Sequence, residues 1–348
     1  MLSIIVFIVL IVPASGIAIG ILISAPRYKG AVSDHFDGKN FYNPNGRNAK
    51  GFKEAMKWMT SRREKKVKWV TRSDFQYGKK PLENVDNGGL KVTFIGHSTV
   101  LLQFDGLNIL TDPVWYERCS PVQWAGPKRI VPAGIRLEDL PKIDIILQSH
   151  NHWDHLDIET LKKICAKDRP KVFTSLGISQ FLKKQGIHNS VDMDWWDELP
   201  ITEGVKVTCV PSQHFSGRGT LDRNGTLWSG FVVSSPSIGN IYFAGDSGYG
   251  DFFKEIGDKF GSMRLSLIPV GAYQPIWFMS PIHCTPEEAV QIHLDVRSEK
   301  TLAIHHSTFP LADDGQFEAL EWLHEARILR GVQEDDFFIL KEGEGVGC

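Results

Sequence analysis

Cysteine is scarce and poorly placed for cross-linking. The five residues Cys119, Cys165, Cys209, Cys284 and Cys348 are odd in number and widely scattered, which argues against a disulfide framework and fits a reducing compartment. They read as small buried hydrophobes rather than reactive thiols. Charge of one sign is also missing. With 39 Lys and Arg against 41 Asp and Glu, the formal net charge is -2. There is no basic excess to neutralise a phosphate backbone, and nucleic acid is not expected as a partner. Neither a repeat of fixed period nor a low-complexity segment is visible.

Long uncharged runs are absent except at the start, where Leu2 to Ser24 carries no charged residue. At ~1.5 Å per residue such a run can cross a ~30 Å hydrocarbon layer as a helix. No Lys or Arg precedes it, and it continues past the small residues Ala14, Ser15 and Gly16. Both features favour a retained transmembrane helix over residues 1–25 rather than a cleaved signal. Arg27, Lys29 and Lys39 follow the run, so the positive-inside tendency puts the body of a single-pass protein on the cytoplasmic side.

The remaining chain holds enough apolar residues, 42% overall, for a large core. Residues 26–88 read as a linker and amphipathic helical region. Its first part is rich in Gly and Asn, and from Phe52 to Val70 Phe, Met, Trp and Val are interleaved with Lys and Arg. Such a segment suits a membrane surface or a helix packed on the main domain. From residue 89 to 348, short apolar runs alternate with turns and helical periods, the pattern of an α/β domain. Strands are expected at 91–96, 99–104, 107–111, 143–149, 171–175, 205–210, 228–235, 240–245, 265–270, 301–305 and 337–341, and helices at 157–167, 176–186, 285–296 and 315–328. A tight turn at Asp105-Gly106 makes the opening strands a hairpin.

The apolar run at 143–149 ends in His150-Asn151-His152-Trp153-Asp154-His155. Four potential ligands thus sit at the carboxyl end of a strand and just before a helix, where open α/β sheets place their sites. Imidazole nitrogen and carboxylate oxygen are ligands for a divalent ion such as Zn²⁺, and His-x-His can serve one ion while Asp-His serves a second. Three His and one Asp in six residues are hard to explain as packing. Six residues cannot fill two coordination shells, so further donors are expected at later strand ends. His214, Asp246 and His305 each follow an apolar run. His306 competes with His305, since alternation puts His306 on the face of Leu302 and Ile304; which face meets the metal is open at this level. His35, His188, His293 and His324 lie in helical or linker settings and read as bystanders.

The order H-x-H-x-D-H, His, Asp, His resembles the metallo-β-lactamase superfamily. More narrowly, the segments GHSTVLLQFDGLNILTDPVW, GPKRI, SHNHWDHLD, PSQHF, AGDSGY, IPVGAYQPIWFM and EEAVQIHLDV resemble its N-acylphosphatidylethanolamine-hydrolysing phospholipase D branch, from about residue 90 to the end. The resemblance implies an αββα sandwich, two mixed sheets flanked by helices, and two Zn²⁺ per chain. It puts His150, His152 and His214 on one ion and Asp154, His155 and His305 on the other, with Asp246 bridging. It further implies that Asp112 orients a ligand histidine and that Asp246, Asp154 and His283 act in catalysis. Substrate contacts are expected at Trp153, His283, Gln123 and Trp124. Trp153 departs from the mammalian enzyme, which has tyrosine there.

The expected activity is phospholipase D-type cleavage of N-acylphosphatidylethanolamine in a lipid bilayer to N-acylethanolamine and phosphatidic acid, with a homodimer as the expected assembly. A metallo-β-lactamase-fold lactonase, a phosphodiesterase for a soluble substrate, a di-iron oxidoreductase and a non-catalytic membrane scaffold with a structural metal are the rival readings on the same fold.

Overall fold

The computed structural model describes residues 20–348 except 63–66, 73 and 87. The apolar N-terminal run expected as an anchor lies almost wholly outside the described residues. Among the described residues, no helix is long and apolar enough to cross a membrane.

Among the described residues, fourteen strands form two seven-stranded sheets. The first contains β1 (Lys91–Gly96), β2 (Thr99–Phe104), β3 (Leu107–Thr111), β4 (Ile145–Gln148), β5 (Lys171–Ser175) and β6 (Ser190–Met193), with the C-terminal β14 (Gly345–Gly347) on its outer edge beside β1. The second contains β7 (Glu198–Pro200), β8 (Lys206–Val210), β9 (Gly230–Ser235), β10 (Gly239–Phe243), β11 (Met263–Pro269), β12 (Ser298–Ile304) and β13 (Phe337–Phe338) in sequence order. Each sheet mixes antiparallel and parallel pairs: β1 to β3 pair antiparallel and β3 to β6 parallel, while β7 to β10 pair antiparallel and β10 to β13 parallel.

Period-two alternation explains the layering. Val92, Phe94, Leu102, Ile109, Ile145 and Leu147 of the first sheet meet Val207, Phe231, Val233, Phe243, Leu267, Leu302 and Ile304 of the second in one shared core. Their sequence neighbours point outward. Ile95, Leu110 and Ile146 pack under the helices α2 (Ile158–Asp168) and α3 (Ile178–Lys184). Val232, Ile268 and Ala303 pack under α4 (Phe252–Phe260), α6 (Pro286–Asp295) and α7 (Glu318–Arg330). Both sheets are thus covered on both faces, as their near-continuous apolar strands require, and the architecture is the expected αββα sandwich.

Local chemistry sets the element ends. Asp105 and Gly106 both have positive φ (50° and 72°) in the β2–β3 turn, the conformation a two-residue hairpin loop favours. Thr285 and Glu288 form a reciprocal capping box at α6, with Pro286 at its first turn. Several elements depart from expectation. The run 337–341 forms only the two-residue β13, and β6, β7, β14, α4 and the short α5 (Ile276–Met279) were not foreseen.

The segment before β1 is not a free linker. Phe36 and Phe41 are buried against Leu227 and Trp228, and residues 25–48 are hydrogen-bonded along the 214–228 loop. The helix α1 (Phe52–Arg62) rests on the body through Trp58, stacked 5.0 Å from Phe278, with the Trp58 indole N–H donating to Asp313 Oδ2 at 2.8 Å. Ala55 packs in the same apolar cluster and Arg62 pairs with Asp313 at 3.0 Å, whereas Phe52, Met56 and Met59 are exposed. Cys119, Cys209 and Cys284 are buried, and all five cysteines are free.

Candidate metal centre

β4 runs directly into the 149–157 loop, which Asp157 closes by capping α2: its Oδ1 accepts from Thr160 N at 3.0 Å. Inside this loop the imidazoles are held as specific tautomers. Ser149 Oγ, which donates to Asp112 Oδ2 at 2.5 Å, accepts from His150 Nδ1 at 2.9 Å. His155 Nδ1 donates to Asp112 Oδ2 at 2.7 Å, and His214 Nδ1 donates to the Ile282 carbonyl at 2.8 Å. Protons fixed on Nδ1 leave the Nε2 lone pairs of His150, His155 and His214 free.

Those lone pairs converge. His150 Nε2 and His214 Nε2 lie 2.9 and 3.2 Å from His152 Nδ1, and His152 Nδ1 has at most one proton to share between two acceptors. Burial pulls the pKa of His150 far below the ordinary histidine value, His152 to about 4 and His214 to about 3, so all three are neutral near pH 7. Neutral imidazoles with facing lone pairs repel unless a cation lies between them.

A second group forms beside the first. His155 Nε2 lies 3.3 Å from Asp154 Oδ2 and 3.1 Å from Asp246 Oδ2, and His305 Nε2 lies 3.4 and 3.2 Å from the same two oxygens. Four donors around one ion at ~2.0–2.1 Å define tetrahedral edges of roughly 3.3–3.4 Å, close to these separations. At these distances His155 Nε2, His305 Nε2 and Asp246 Oδ1 are buried yet make no hydrogen bond. Asp246 Oδ2 also lies 4.0 and 3.7 Å from His150 Nε2 and His214 Nε2, so one carboxylate reaches both groups. This group demands positive charge. Burial opposes it, but Asp246 and Asp154 raise the pKa of His155 well above the ordinary histidine value and that of His305 to about 9. Burial would raise both acids, but the two imidazoles hold them far below the usual carboxylate range. A divalent ion would supply that positive charge in place of the protons. Two divalent ions fit these donors.

His305 reaches the cluster because the chain leaves the strand geometry after Ile304: His305 has φ 59°. His306 stays on the side of Leu302 and Ile304, stacked on Phe94 of the inter-sheet core. Asp112 is fully buried and takes four hydrogen bonds, from His155, Ser149 Oγ, Ser149 N and Gln148. His283 lies with its ring 5.0 Å from His214 and 5.3 Å from His305. Its Nδ1 is buried without a partner, and burial lowers its pKa to about 3.

One residue at the cluster was not foreseen. His97, in the β1–β2 turn, lies 3.1 Å from Asp154 Oδ2 through Nε2 and packs against His305 at 4.0 Å between ring centroids. Its carbonyl accepts from His305 N at 2.8 Å. With His155 it completes a four-donor group. The only available signal was a histidine between two predicted strands.

The expected substrate contacts divide. Trp153 is held by Arg218: its indole N–H donates to the Arg218 carbonyl at 2.9 Å, and the guanidinium lies 3.7 Å over its ring. Arg218 Nη1 in turn donates to the carbonyls of Asn151 and Leu156, both at 2.9 Å, stapling the loop that bears four of the donors. Gln123 makes its hydrogen bonds within its own loop, to Arg118 and Ser120. Trp124 stands in solvent, 82% exposed. Neither joins the donor cluster.

Residues 107–306 match the Beta-lactamase superfamily domain. N-acyl-phosphatidylethanolamine-hydrolyzing phospholipase D 1 of Caenorhabditis elegans is 38% identical over 270 residues, covering 74% of this chain and 75% of that protein. The mitochondrial N-acyl-phosphatidylethanolamine-hydrolyzing phospholipase D of Saccharomyces cerevisiae is 35% identical over 236 residues, covering 66% of this chain and 50% of that one. Among solved structures, an isothiocyanate hydrolase from Delia radicum gut bacteria superposes with a TM-score of 0.59 at 21% identity, over 74% of this chain and 98% of its own, a likeness of fold. The chain is a metal-dependent hydrolase and belongs to the metallo-β-lactamase superfamily, within its N-acylphosphatidylethanolamine-hydrolysing phospholipase D branch.

Proposed function

We propose that the chain is a dinuclear zinc phosphodiesterase that cleaves N-acylphosphatidylethanolamine in a membrane to N-acylethanolamine and phosphatidic acid. The observation that carries the proposal is the convergence of seven donors, His150, His152 and His214 on one side, Asp154, His155 and His305 on the other, and Asp246 within reach of both. Two divalent ions held there supply water acidic enough to ionise near neutral pH and positive charge for a phosphoryl group.

The chain's own residues account for the rest of the reaction. Water adds to phosphorus and the bond from phosphorus to the ethanolamine oxygen breaks. Asp246 Oδ1, buried and without a hydrogen bond, is the acceptor available to hold the water's proton until the leaving alcohol takes it. Asp154 would hold the second ion together with His155 and His305, and its negative charge holds those two imidazoles toward it. His283, neutral because it is buried, has an imidazole N–H for a non-bridging phosphoryl oxygen. Asp112 fixes the tautomer of His155.

A lipid substrate is supported by the identity to the two phospholipases and by the rim of the molecule. Phe52, Met56 and Met59 of α1 and Ile276 and Trp277 of α5 are exposed apolar groups, with Lys57 5.1 Å over the Trp277 ring. Apolar side chains interleaved with Lys suit an anionic bilayer surface, as does the uncharged run at residues 2–24. The purified protein, given N-acylphosphatidylethanolamine in vesicles and a panel of lactones, should release N-acylethanolamine from the lipid and leave the lactones intact. His152→Ala should abolish that release while the fold persists. Turnover of lactones alone would refute the phospholipid assignment.

A further inference from the structure

Residues 25–48 precede the matched family domain and look like a linker, yet they are wired into the metal centre. Asn43, 2% exposed, donates through Nδ2 to the carbonyl of His214 at 3.0 Å and to that of Arg47 at 2.9 Å, and its Oδ1 accepts from the Trp228 indole at 3.0 Å. Both amide protons are used, and the bond to His214 spans a sequence separation of 171 residues. Asn45 Nδ2 donates to Gln213 Oε1 at 2.5 Å, beside the same histidine.

The other end of the strap grips the far side of that loop. Asp222, fully buried, accepts from Ala25 N at 2.8 Å, from Arg218 N at 3.0 Å and from Gly219 N at 2.8 Å. Tyr28 N donates to the Gly225 carbonyl at 2.7 Å and Phe41 N to that of Asn224 at 2.9 Å. Arg27 reaches the Leu221 carbonyl at 2.8 Å and Asn40 Oδ1 at 2.5 Å. The clamped loop also touches the ligand loop directly, because Gly217 N donates to Asn151 Oδ1 at 2.8 Å and Arg218 staples the Asn151 and Leu156 carbonyls. The loop from His214 to Trp228 is therefore held between the strap and the His150–His155 loop.

We propose that residues 25–48 form a built-in strap that completes the His150/His152/His214 metal site, with Asn43 and Asp222 as its positioning residues. The strap contributes no ligand. It fixes the backbone on which His214 stands, and it leaves the Asp154/His155/His305 site to be positioned by Asp112 and His97. A long polar loop without the strap would sample many conformations, and affinity would fall with the fraction that is binding-competent. The physical consequence is graded: loosening the strap weakens binding of the ion on His150, His152 and His214 most, because the second group feels the strap only indirectly, through Arg218.

The inference rests on the assignment of His150, His152 and His214 as ligands, so the test separates the two. Asn43→Asp keeps an oxygen for Trp228 and removes the amide donor to His214, and Arg27→Ala loosens the strap from its half-exposed side without opening the core. Zinc content and chelator-competition curves are measured on the full-length wild type and both variants, with circular dichroism as the check on folding. The wild type should hold two ions per chain. Asn43→Asp should bind one ion on the order of 10–100-fold more weakly, as for other residues that orient ligands, and lose clearly less at the other. Arg27→Ala should shift the same ion in the same direction by less, and it carries the test if Asn43→Asp does not fold. Two ions with unchanged curves in a folded variant, even one with a lower melting temperature, or equal weakening of both ions, would overturn the strap. A wild type that binds no zinc would overturn the ligand assignment instead.

Discussion

His150, His152, Asp154 and His155 are recognisable in the sequence because one loop delivers all four, and no packing requirement explains such a density of His and Asp. His305 was recognisable only as one of a pair. Alternation correctly sends His306 into the core against Phe94, but the use of His305 depends on a left-handed residue after Ile304, and no pattern of period two encodes that break. His97 was invisible for a similar reason: it sits in a hairpin turn, φ 59°, and acquires meaning only when β1 and β12 meet. Its contact with Asp154 Oδ2 makes a prediction. His97→Ala should weaken zinc binding at the Asp154/His155/His305 site on the order of 10–100-fold, and His97→Gln should recover part of it by restoring an N–H. Competition with a chromogenic chelator reads the difference, and unchanged binding in His97→Ala would show that the contact is incidental.

At the scale of elements, the longer strands and the helices α2, α3, α6 and α7 follow from hydrophobic period, helped at α2 and α6 by capping side chains. The short edge strands β6, β7 and β14 do not, because three or four residues carry too little pattern to separate from a loop. The α4 helix was missed because its sequence, FFKEIGDKF, has an interior Gly257, which packs against the Asp295 carbonyl where a Cβ has no room. The loop between β4 and α2 is different again, since its order comes from Arg218, far along the chain. Arg218 is almost fully buried, and burial lowers its pKa to about 10, so it remains charged at neutral pH. Arg218→Lys keeps the charge but loses the planar stack on Trp153 and the reach to both carbonyls. Urea denaturation should show a loss of about 2–4 kcal/mol, the range for a broken buried charged hydrogen-bond network. A loss below about 0.5 kcal/mol, typical of a surface change, would mean that the staple is dispensable.

At the scale of the molecule, two sheets share one core and the N-terminal strap is locked over one end of it. Leu267 lies in that core with no exposed surface, and Leu267→Ala should cost about 2–5 kcal/mol in the same denaturation assay. The strap was illegible because its Gly, Asn and aromatic composition is that of a linker, while its partners lie far away in sequence. It also carries a titratable lock. His35 is buried, stacked on Trp195 and next to Phe41, with Nδ1 2.6 Å from Asp34 Oδ1 and Nε2 2.7 Å from Asp194 Oδ1. Burial disfavours its charged form, but Asp194 and Asp34 together outweigh that and raise its pKa above the ordinary value. A raised folded pKa stabilises the protein below the unfolded value of about 6.5, and that stabilisation is lost as pH rises through the folded value. The stability advantage of wild type over His35→Gln should therefore be greatest below the unfolded value of about 6.5 and shrink as the pH is raised above it. Parallel melting curves at all pH values would remove His35 from the account.

The most direct measurement of the central claim is turnover of N-acylphosphatidylethanolamine by the zinc-loaded protein in water enriched in oxygen-18, with both products analysed by mass spectrometry. Attack of water on phosphorus puts one heavy oxygen in the phosphatidic acid and none in the N-acylethanolamine. Label in a released fatty acid, label in the ethanolamide oxygen, or no cleavage of the lipid would contradict it.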